Sequence, residues 1–416
     1  MDKHRKATYH LWTFAMSKLI SSFGSSVYGF GMSLYILNVT GSATGFAINL
    51  LCNTLPRAIL APFAGTLADR KSKKKIVLIS QGGASVIVLS LLGFSFIQEL
   101  YVSAIYTTTA LLSICSTFTS ITLTSSITQL FNQEKLQKAM AFQQASISLS
   151  TIGGPIVGGA LFGLFSMKVF LLIHISSYII AILLEATMNF TLYRKQPFSK
   201  PSPFRQSLLE GLRYVKSNEN LLRLFCTGLV VNFFAVSLVV GLPFIAVEKL
   251  RIQSAHFGII EGTFAAGMLV TSIYFSIRKS FRSPLLLTKW GIVVASFIMV
   301  MTTLPLFIPL SYGGNVSFYM VIGLIYGITL TFVNTPLGVL LQNVIEDEVK
   351  GRVFGILEMM AQGLSPLGMI IYGLALDTIG PGWSIIPSSF CMTAFTLLLL
   401  NQKRLKYIPT SYSSIS

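Results

Sequence analysis

Charge is scarce in this chain of 416 residues, where Asp, Glu, Lys and Arg together make up only 11% of the sequence and the acids number just 14. A soluble domain of ordinary composition is about 25% charged, so this chain has too little polar surface to cover a water-soluble globule of its length. Cysteine is sparse as well. Cys52, Cys115, Cys226 and Cys391 stand singly within apolar runs, which excludes a disulfide framework and reads as small core residues. The four histidines, His4, His10, His174 and His256, are scattered, and no HExxH, paired Cys/His set or nucleotide loop occurs. Without a clustered nucleophile, acid/base pair or ligand set, neither an enzyme nor a metal or cofactor site is expected.

Apolar sequence fills the space instead. Hydrophobic residues account for 53% of the chain and mean hydropathy is +0.71. A membrane-crossing helix needs about 20 mainly apolar residues. Twelve such segments can be marked, near 11–37, 45–65, 76–97, 101–124, 140–165, 169–192, 221–247, 255–277, 285–308, 316–342, 353–376 and 383–402. The expected fold class is therefore an all-α membrane protein. Basic Met1 to Tyr9 before an apolar run superficially resembles a signal peptide, but no short apolar core with a small-residue cleavage site follows, so an uncleaved first helix is expected.

The net charge of +17 would suggest nucleic acid in a soluble protein, but its distribution says otherwise. Of 31 Lys and Arg, only Lys168, Lys249 and Arg251 fall in loops of one side, and only Lys18, Arg57 and Lys289 fall within spans. All others lie in the N-terminal stretch, the C-terminal tail and the alternate loops. Such asymmetry places the basic loops and both termini in the cytoplasm, against anionic headgroups. No nucleic-acid partner is expected.

Residues 193–220 change character: prolines at 197, 201 and 203 precede Leu208, Leu209, Leu212 and Val215 at helical spacing among Glu210, Arg213 and Lys216. This is a linker with an amphipathic helix lying on the membrane surface. It separates an N-terminal half, 1–192, from a C-terminal half, 221–416. At one constant spacing Glu134 aligns with Glu348, Lys138 with Arg352, Gly154 with Gly368 and Gly159 with Gly373, as two related halves of six helices would require.

Two motifs carry the most information. The run Gly65-Thr66-Leu67-Ala68-Asp69-Arg70-Lys71-Ser72-Lys73-Lys74-Lys75 lies between predicted helices two and three. Gly154-Pro155-Ile156-Val157-Gly158-Gly159 lies in helix five, where Gly154 and Gly158 share a face that another backbone can approach closely and Pro155 removes one helical hydrogen bond. Gly258, Gly262 and Ala266 offer a partner stripe on helix eight.

The first motif resembles the loop between the second and third helices of the major facilitator superfamily, and the second resembles the end of that superfamily's antiporter motif, with Ala141 and Ser150 at its two earlier glycine positions. Ser21 to Gly24, Thr40 to Ala43, Leu55-Pro56-Arg57, Gly351 to Phe354 and Pro366 to Gly368 resemble the branch of macrolide-efflux and siderophore-export proteins. The resemblance spans about residues 10 to 400. It implies twelve helices in two parallel six-helix halves, a monomer in a bacterial cell membrane, and a transporter exchanging a small amphiphilic substrate for protons by alternating access. A siderophore exporter, or a receptor without turnover, is the alternative.

It also implies a gating loop, Gly65, Asp69, Arg70 and Lys74, with the Asp69 carboxylate set against the N-terminus of helix eleven. The pattern is incomplete: helix four lacks an arginine, Ser25 stands where the branch often has Asp, and Gln81 replaces a frequent acid of helix three. Proton coupling must then use other embedded groups, since an ionisable side chain within lipid is costly. The candidates are Lys18, Arg57, Glu185, Glu261, Glu358 and Asp377. Arg57 lies about 18 Å up helix two from Asp69, needs a counter-charge or carbonyl partners, and has Glu358 as the expected one. Glu185 and Lys18 are expected to snorkel to the cytoplasm, and Asp377 lies near the outer end of helix eleven. Polar positions Ser113, Ser116, Thr117, Ser120 and Thr124 on helix four, Asn232 on helix seven, and Tyr326, Thr329 and Asn334 on helix ten would line a path or bind helices together, with Tyr28, Phe30 and Tyr35 adding aromatic surface for a ligand.

Overall fold

The computed structural model describes residues 3–98, 100–131, 133–190, 192, 212–277, 283–345, 353 and 363–400. Every regular element among them is helical. In chain order the long helices are α1 (Lys3–Thr40), α2 (Ala43–Arg70), α3 (Lys73–Ile97), α4 (Val102–Leu130), α5 (Gln133–Leu164), α6 (Met167–Thr187), α7 (Glu219–Pro243), α8 (Ser254–Ile277), α9 (Pro284–Met301), α10 (Tyr312–Val344), α11 (Ser365–Thr378) and α12 (Gly380–Leu399). A π-helical turn, Phe244–Lys249, extends α7, and a 3-10 turn, Leu304–Leu306, follows α9.

Boundaries follow local chemistry. Ser42 accepts from the Gly45 N–H to cap α2, Asn218 from Leu221 to cap α7, and Ser311 from Gly314 to cap α10, each satisfying an orphan donor of the first turn. Gly41 after α1 and Gly380 after α11 have φ of 63° and 83°, a conformation that glycine adopts without a Cβ penalty. Helix α5 starts at Gln133, well before the expected apolar span, because Gln, Glu, Lys and Leu propagate a helix outside the lipid as readily as within it.

Nine helical stretches among the described residues are long and apolar enough to cross a membrane. Helices α1 and α2, interrupted by serine, glycine and charge, are not among them, nor is α11, which has 14 described residues. The expected surface helix of the linker is described only from Leu212, where helical turns run to Ser217 and bury Val215; its earlier leucines lie outside the described residues.

The chain forms two compact units: unit one is Met1–Ser199 with Ala246–Gly262, and unit two is Lys200–Ile245 with Thr263–Ser416. Inside unit one, α1 packs on α5 and α6, α2 on α4, and α3 on α4 and α6. Inside unit two, α7 packs on α11 and α12, and α9 on α10 and α12. Each pairing of unit two is a pairing of unit one displaced by six helices. The core of unit one brings Tyr28, Met32 and Ile36 of α1 against Val88 and Leu91 of α3 and Phe170 and Leu171 of α6. A second cluster joins Leu11 and Phe14 to Leu123, Ile127 and Phe131.

Candidate functional site

Glycine brings α1 and α5 together. A Cβ at Gly158 would stand 2.9 Å from the Val27 carbonyl oxygen and 3.5 Å from the Gly31 nitrogen, and one at Gly154 would overlap the Ser26 side chain. Both glycines therefore face α1, not helix eight as the sequence reading has it. The contact with α8 belongs to the next face of the same helix. There a Cβ at Gly159 would lie 3.0 Å from the Ser254 carbonyl and the Gly258 Cα, and one at Gly163 2.8 Å from the Ala255 nitrogen. Consecutive residues of a helix point about 100° apart, so the pair Gly158-Gly159 serves two neighbours at once. Gly258 meets the Ile156 carbonyl and Gly262 the Ile156 side chain. Pro155 sits inside α5 without ending it, and Ser150 donates to the Ser146 carbonyl at 2.7 Å.

Aromatic side chains reinforce these contacts. Phe30 stacks on Phe257 with ring centroids 6.0 Å apart, Tyr35 meets Phe162 edge-on, and Tyr28 stacks on His174 at 4.8 Å. Tyr28 is 2% exposed. All three pack helices of unit one, so the expectation of a ligand-facing aromatic surface fails for Tyr28, which is sealed in the core.

A polar lane runs between α1, α2 and α4. Asn49 donates to Ser33 at 2.9 Å, Ser113 donates to the Asn53 carbonyl, and Lys18 Nζ donates to Ser120 at 2.8 Å. Asn49, Asn53 and Arg57 are four residues apart and share one face of α2. The α4 stripe thus acts as glue at Ser113 and Ser120, while Thr117 and Thr124 turn back on carbonyls of their own helix. Arg57 is exposed and has no hydrogen bond or ion pair among the described residues; its guanidinium lies within electrostatic reach of Lys18. The expected counter-charge, Glu358, lies outside the described residues.

Below this lane sits a buried acid. Glu185, near the end of α6, is 0% exposed. Its Oε1 accepts from Ser17 at 2.5 Å and from Gln81 Nε2 at 3.1 Å, and Gln81 also donates to Ser21 at 2.7 Å. Lys18 is 3% exposed and lies within electrostatic reach of the carboxylate. Neither side chain snorkels, contrary to expectation. Burial of this pair was missed because helix direction alone does not say which face a neighbour covers. The usable signal was Ser17 and Ser21, one turn apart on α1, with Gln81 inside the apolar stretch of α3 and Glu185 as the acid of α6.

The remaining candidates are dispersed. Lys74 donates to the Ala186 carbonyl at 2.6 Å and Lys73 to that of Ser125 at 2.5 Å, placing cations on the C-terminal ends of α6 and α4, where the dipole favours them. Asp69 and Arg70 occupy the last turn of α2, and their side chains lie outside the described residues, as does most of the segment leading into α11. Among the described residues, a Cβ at Gly65 would meet nothing within 4 Å. Glu261 on α8 is half-buried with no partner among the described residues. Asn334 and Asp377 are exposed, Tyr326 meets Phe264 at a tilt with centroids 5.7 Å apart, and Thr329 and Asn232 bond to their own helices.

Known proteins match this chain along nearly its whole length. The profile of the Major Facilitator Superfamily matches residues 14–369. Macrolide efflux protein A of Streptococcus pyogenes is 25% identical over 384 residues, covering 91% of this chain and 92% of that protein. Staphyloferrin A transporter of Staphylococcus aureus is 22% identical, covering 94% of this chain and 97% of that protein. Among solved structures, the nucleoside transporter NupG superposes with a TM-score of 0.70 at 14% identity, covering 96% of this chain and all of that one, which is a likeness of fold. Together with the helical fold and its apolar spans, these matches make the chain a multi-pass membrane transporter of small molecules that belongs to the Major Facilitator Superfamily.

Proposed function

We propose that this chain is a proton-coupled exporter of an amphiphilic drug-like compound, working by alternating access in a bacterial cell membrane as a monomer. The observation that carries the reading is its similarity to Macrolide efflux protein A across 91% of its length. In this reading the six-helix halves are residues 1–192 and 221–416, joined by 193–220, with both termini in the cytoplasm. The gating loop is Gly65, Asp69, Arg70 and Lys74, where the Asp69 carboxylate closes the cytoplasmic side against the N-terminus of predicted helix eleven, near residue 353, a helix N-terminus being favourable to an anion. The glycine face of α5 supports export through the close approach of helices that must move past each other. Glu261 and Glu358 are candidate acids for the proton, and Arg57 and Asn334 are candidates for contact with substrate.

The test is reconstitution into lipid vesicles with an imposed pH gradient, following erythromycin and a carboxylate siderophore. Gradient-dependent accumulation of erythromycin is the expected result. Binding without flux would make the chain a receptor and overturn the reading. The second reading, export of an endogenous metabolite such as a siderophore, is favoured by the similarity to Staphyloferrin A transporter and by Arg57, an exposed cation free to meet an anionic group. Flux of the siderophore but not of erythromycin selects it. Orientation is tested separately: cysteine at position 72 or 202 should be shielded from impermeant thiol reagents in intact cells, and cysteine at position 314 should react. Labelling at position 72 from outside overturns the topology.

A further inference from the structure

Glu185 is the one acid among the described residues that is wholly buried, and no part of the gating, packing or substrate machinery above uses it. Among the described residues both of its hydrogen-bond donors, Ser17 and Gln81, address the same oxygen, Oε1, and the other, Oε2, is buried without a partner. Lys18, one residue along α1 from Ser17, supplies the nearby positive charge, yet it donates to Ser120 and forms no ion pair with the carboxylate.

Two protonation states are each half-satisfied by this geometry. The ionised form gains the 2.5 Å bond from Ser17, a length suited to a charged acceptor, and the field of Lys18. It still leaves one bare oxygen in a buried site, and an unpaired buried charge is costly. The neutral form removes that penalty by placing a hydroxyl at Oε2, and an unpaired hydroxyl costs less than an unpaired charge. The two states are thus opposed at one carboxyl group, and neither satisfies all of its polar atoms.

The surroundings fit that exchange. Helix α6 packs on α1, α3 and, more slightly, α5. From α1 the charged group is Lys18, with Tyr9 donating to Thr187 farther along; from α3 it is Lys74, which holds the carbonyl of the adjacent Ala186. The described cations of α5, Lys135 and Lys138, stand in its first turns, Lys135 donating to Thr8. Arg57 of α2 lies beyond Lys18 and acts on it. Glu185 therefore sits two residues before Thr187, the last residue of α6, at the end that Lys74 of the basic loop caps, and that end is the cytoplasmic one in the orientation proposed above.

We propose that Glu185 is a reversible proton-binding site of unit one: Oε2 takes a proton from water, forming an O–H bond and discharging the carboxylate, and returns it to water on the basic-loop side. Lys18 is its opposing charge, and Ser17 and Gln81 are positioning residues that hold Oε1. Using this proton to drive export rests on the transport reading; binding it does not.

Proton binding is read without any substrate, by infrared spectroscopy of the purified protein during a pH titration. Wild type should show a protonated-carboxyl stretch that disappears as pH rises, and Glu185→Gln should lose it. Glu261→Gln should keep it, and Lys18→Met should shift its disappearance to higher pH by removing the stabilising cation. Retention of an unchanged titrating band in Glu185→Gln overturns the proposal, as does a wild-type spectrum without such a band. The coupling step is read in vesicles: Glu185→Gln should retain erythromycin counterflow but lose its acceleration by the pH gradient. Full gradient-driven accumulation by that variant refutes a role in coupling even where the infrared band is lost. If wild type moves no erythromycin at all, the export reading fails while the infrared result stands on its own.

Discussion

Between α2 and α4 of unit one the contact runs through side chains, with Tyr106 donating to the Gly45 carbonyl at 3.1 Å and Ser113 to that of Asn53. The equivalent pair of unit two, α8 and α10, meets backbone to backbone. A Cβ at Gly327 would overlap the Phe264 carbonyl and lie 3.0 Å from the Met268 nitrogen, and one at Gly267 would lie 3.0 Å from the Ile328 nitrogen. The contrast extends to charge. Among the described residues Lys18, Lys135 and Glu185 are buried, all in unit one, whereas unit two buries hydroxyls such as Thr271, Ser296 and Thr331 that bond to carbonyls of their own helices. One architecture thus carries two chemistries. Glycine contacts give a close, chemically inert joint, while unit one places ionisable groups where their protonation or pairing can change with the state of the protein.

The comparison breaks most decisively at the glycines. Gly158→Leu or Gly154→Leu in unit one, and Gly327→Leu in unit two, should each cost at least ~1–3 kcal/mol from overpacking and stop transport, as measured by thermal unfolding and vesicle flux. Ala141→Gly should be nearly silent, since that position already has a small side chain. Normal flux through both leucine variants of α5 would show that its glycine face is not needed for movement.

Next in size is Asp69→Asn, which should leave the protein inserted and folded but strongly slow flux by removing a charge-assisted contact. Unimpaired flux would reduce Asp69 to a mark of topology. Ser113→Ala then tests the side-chain joint of unit one directly. The loss should be about 0.6 kcal/mol, the ordinary worth of a hydrogen bond between membrane helices, and clearly smaller than Gly327→Ala in the matching joint of unit two. A larger loss at Ser113 would show that the side-chain joint of unit one contributes more than the backbone joint of unit two.

The smallest effect is expected at Lys74→Gln. Removing the cation from the end of α6 should cost about 0.3–1 kcal/mol, weaken with salt in the wild type, and leave helix content unchanged. An effect independent of ionic strength would mean that Lys74 matters through its packing and not its charge.

Much of the candidate site could be named from sequence but not assembled from it. Gly154, Gly158 and Gly159 were recognisable as a close-packing motif, yet which neighbour each one meets depends on a rotation of about 100° between successive residues and on where α1 and α8 lie. Asn49, Asn53 and Arg57 could be placed on one face of α2 by spacing alone, while the Ser33 and Ser113 partners come from separate helices. Lys18 and Glu185 looked free to reach water because each lies towards the cytoplasmic end of its predicted span; in this conformation side chains of α1, α3 and α4 cover them.

By itself the sequence determined that the chain enters a membrane, because apolar length and the scarcity of charge act residue by residue whatever the tertiary arrangement. It also determined the family, through motifs whose spacing survives in one dimension. Tertiary structure alone decided that Glu185 is sealed against Ser17 and Gln81, that Gly158 serves α1 and Gly159 serves α8, and that Tyr28 packs a core instead of facing a ligand. Those outcomes depend on which helix covers which face, and burial of a polar group is a property of all the atoms around it, not of the residue that carries it.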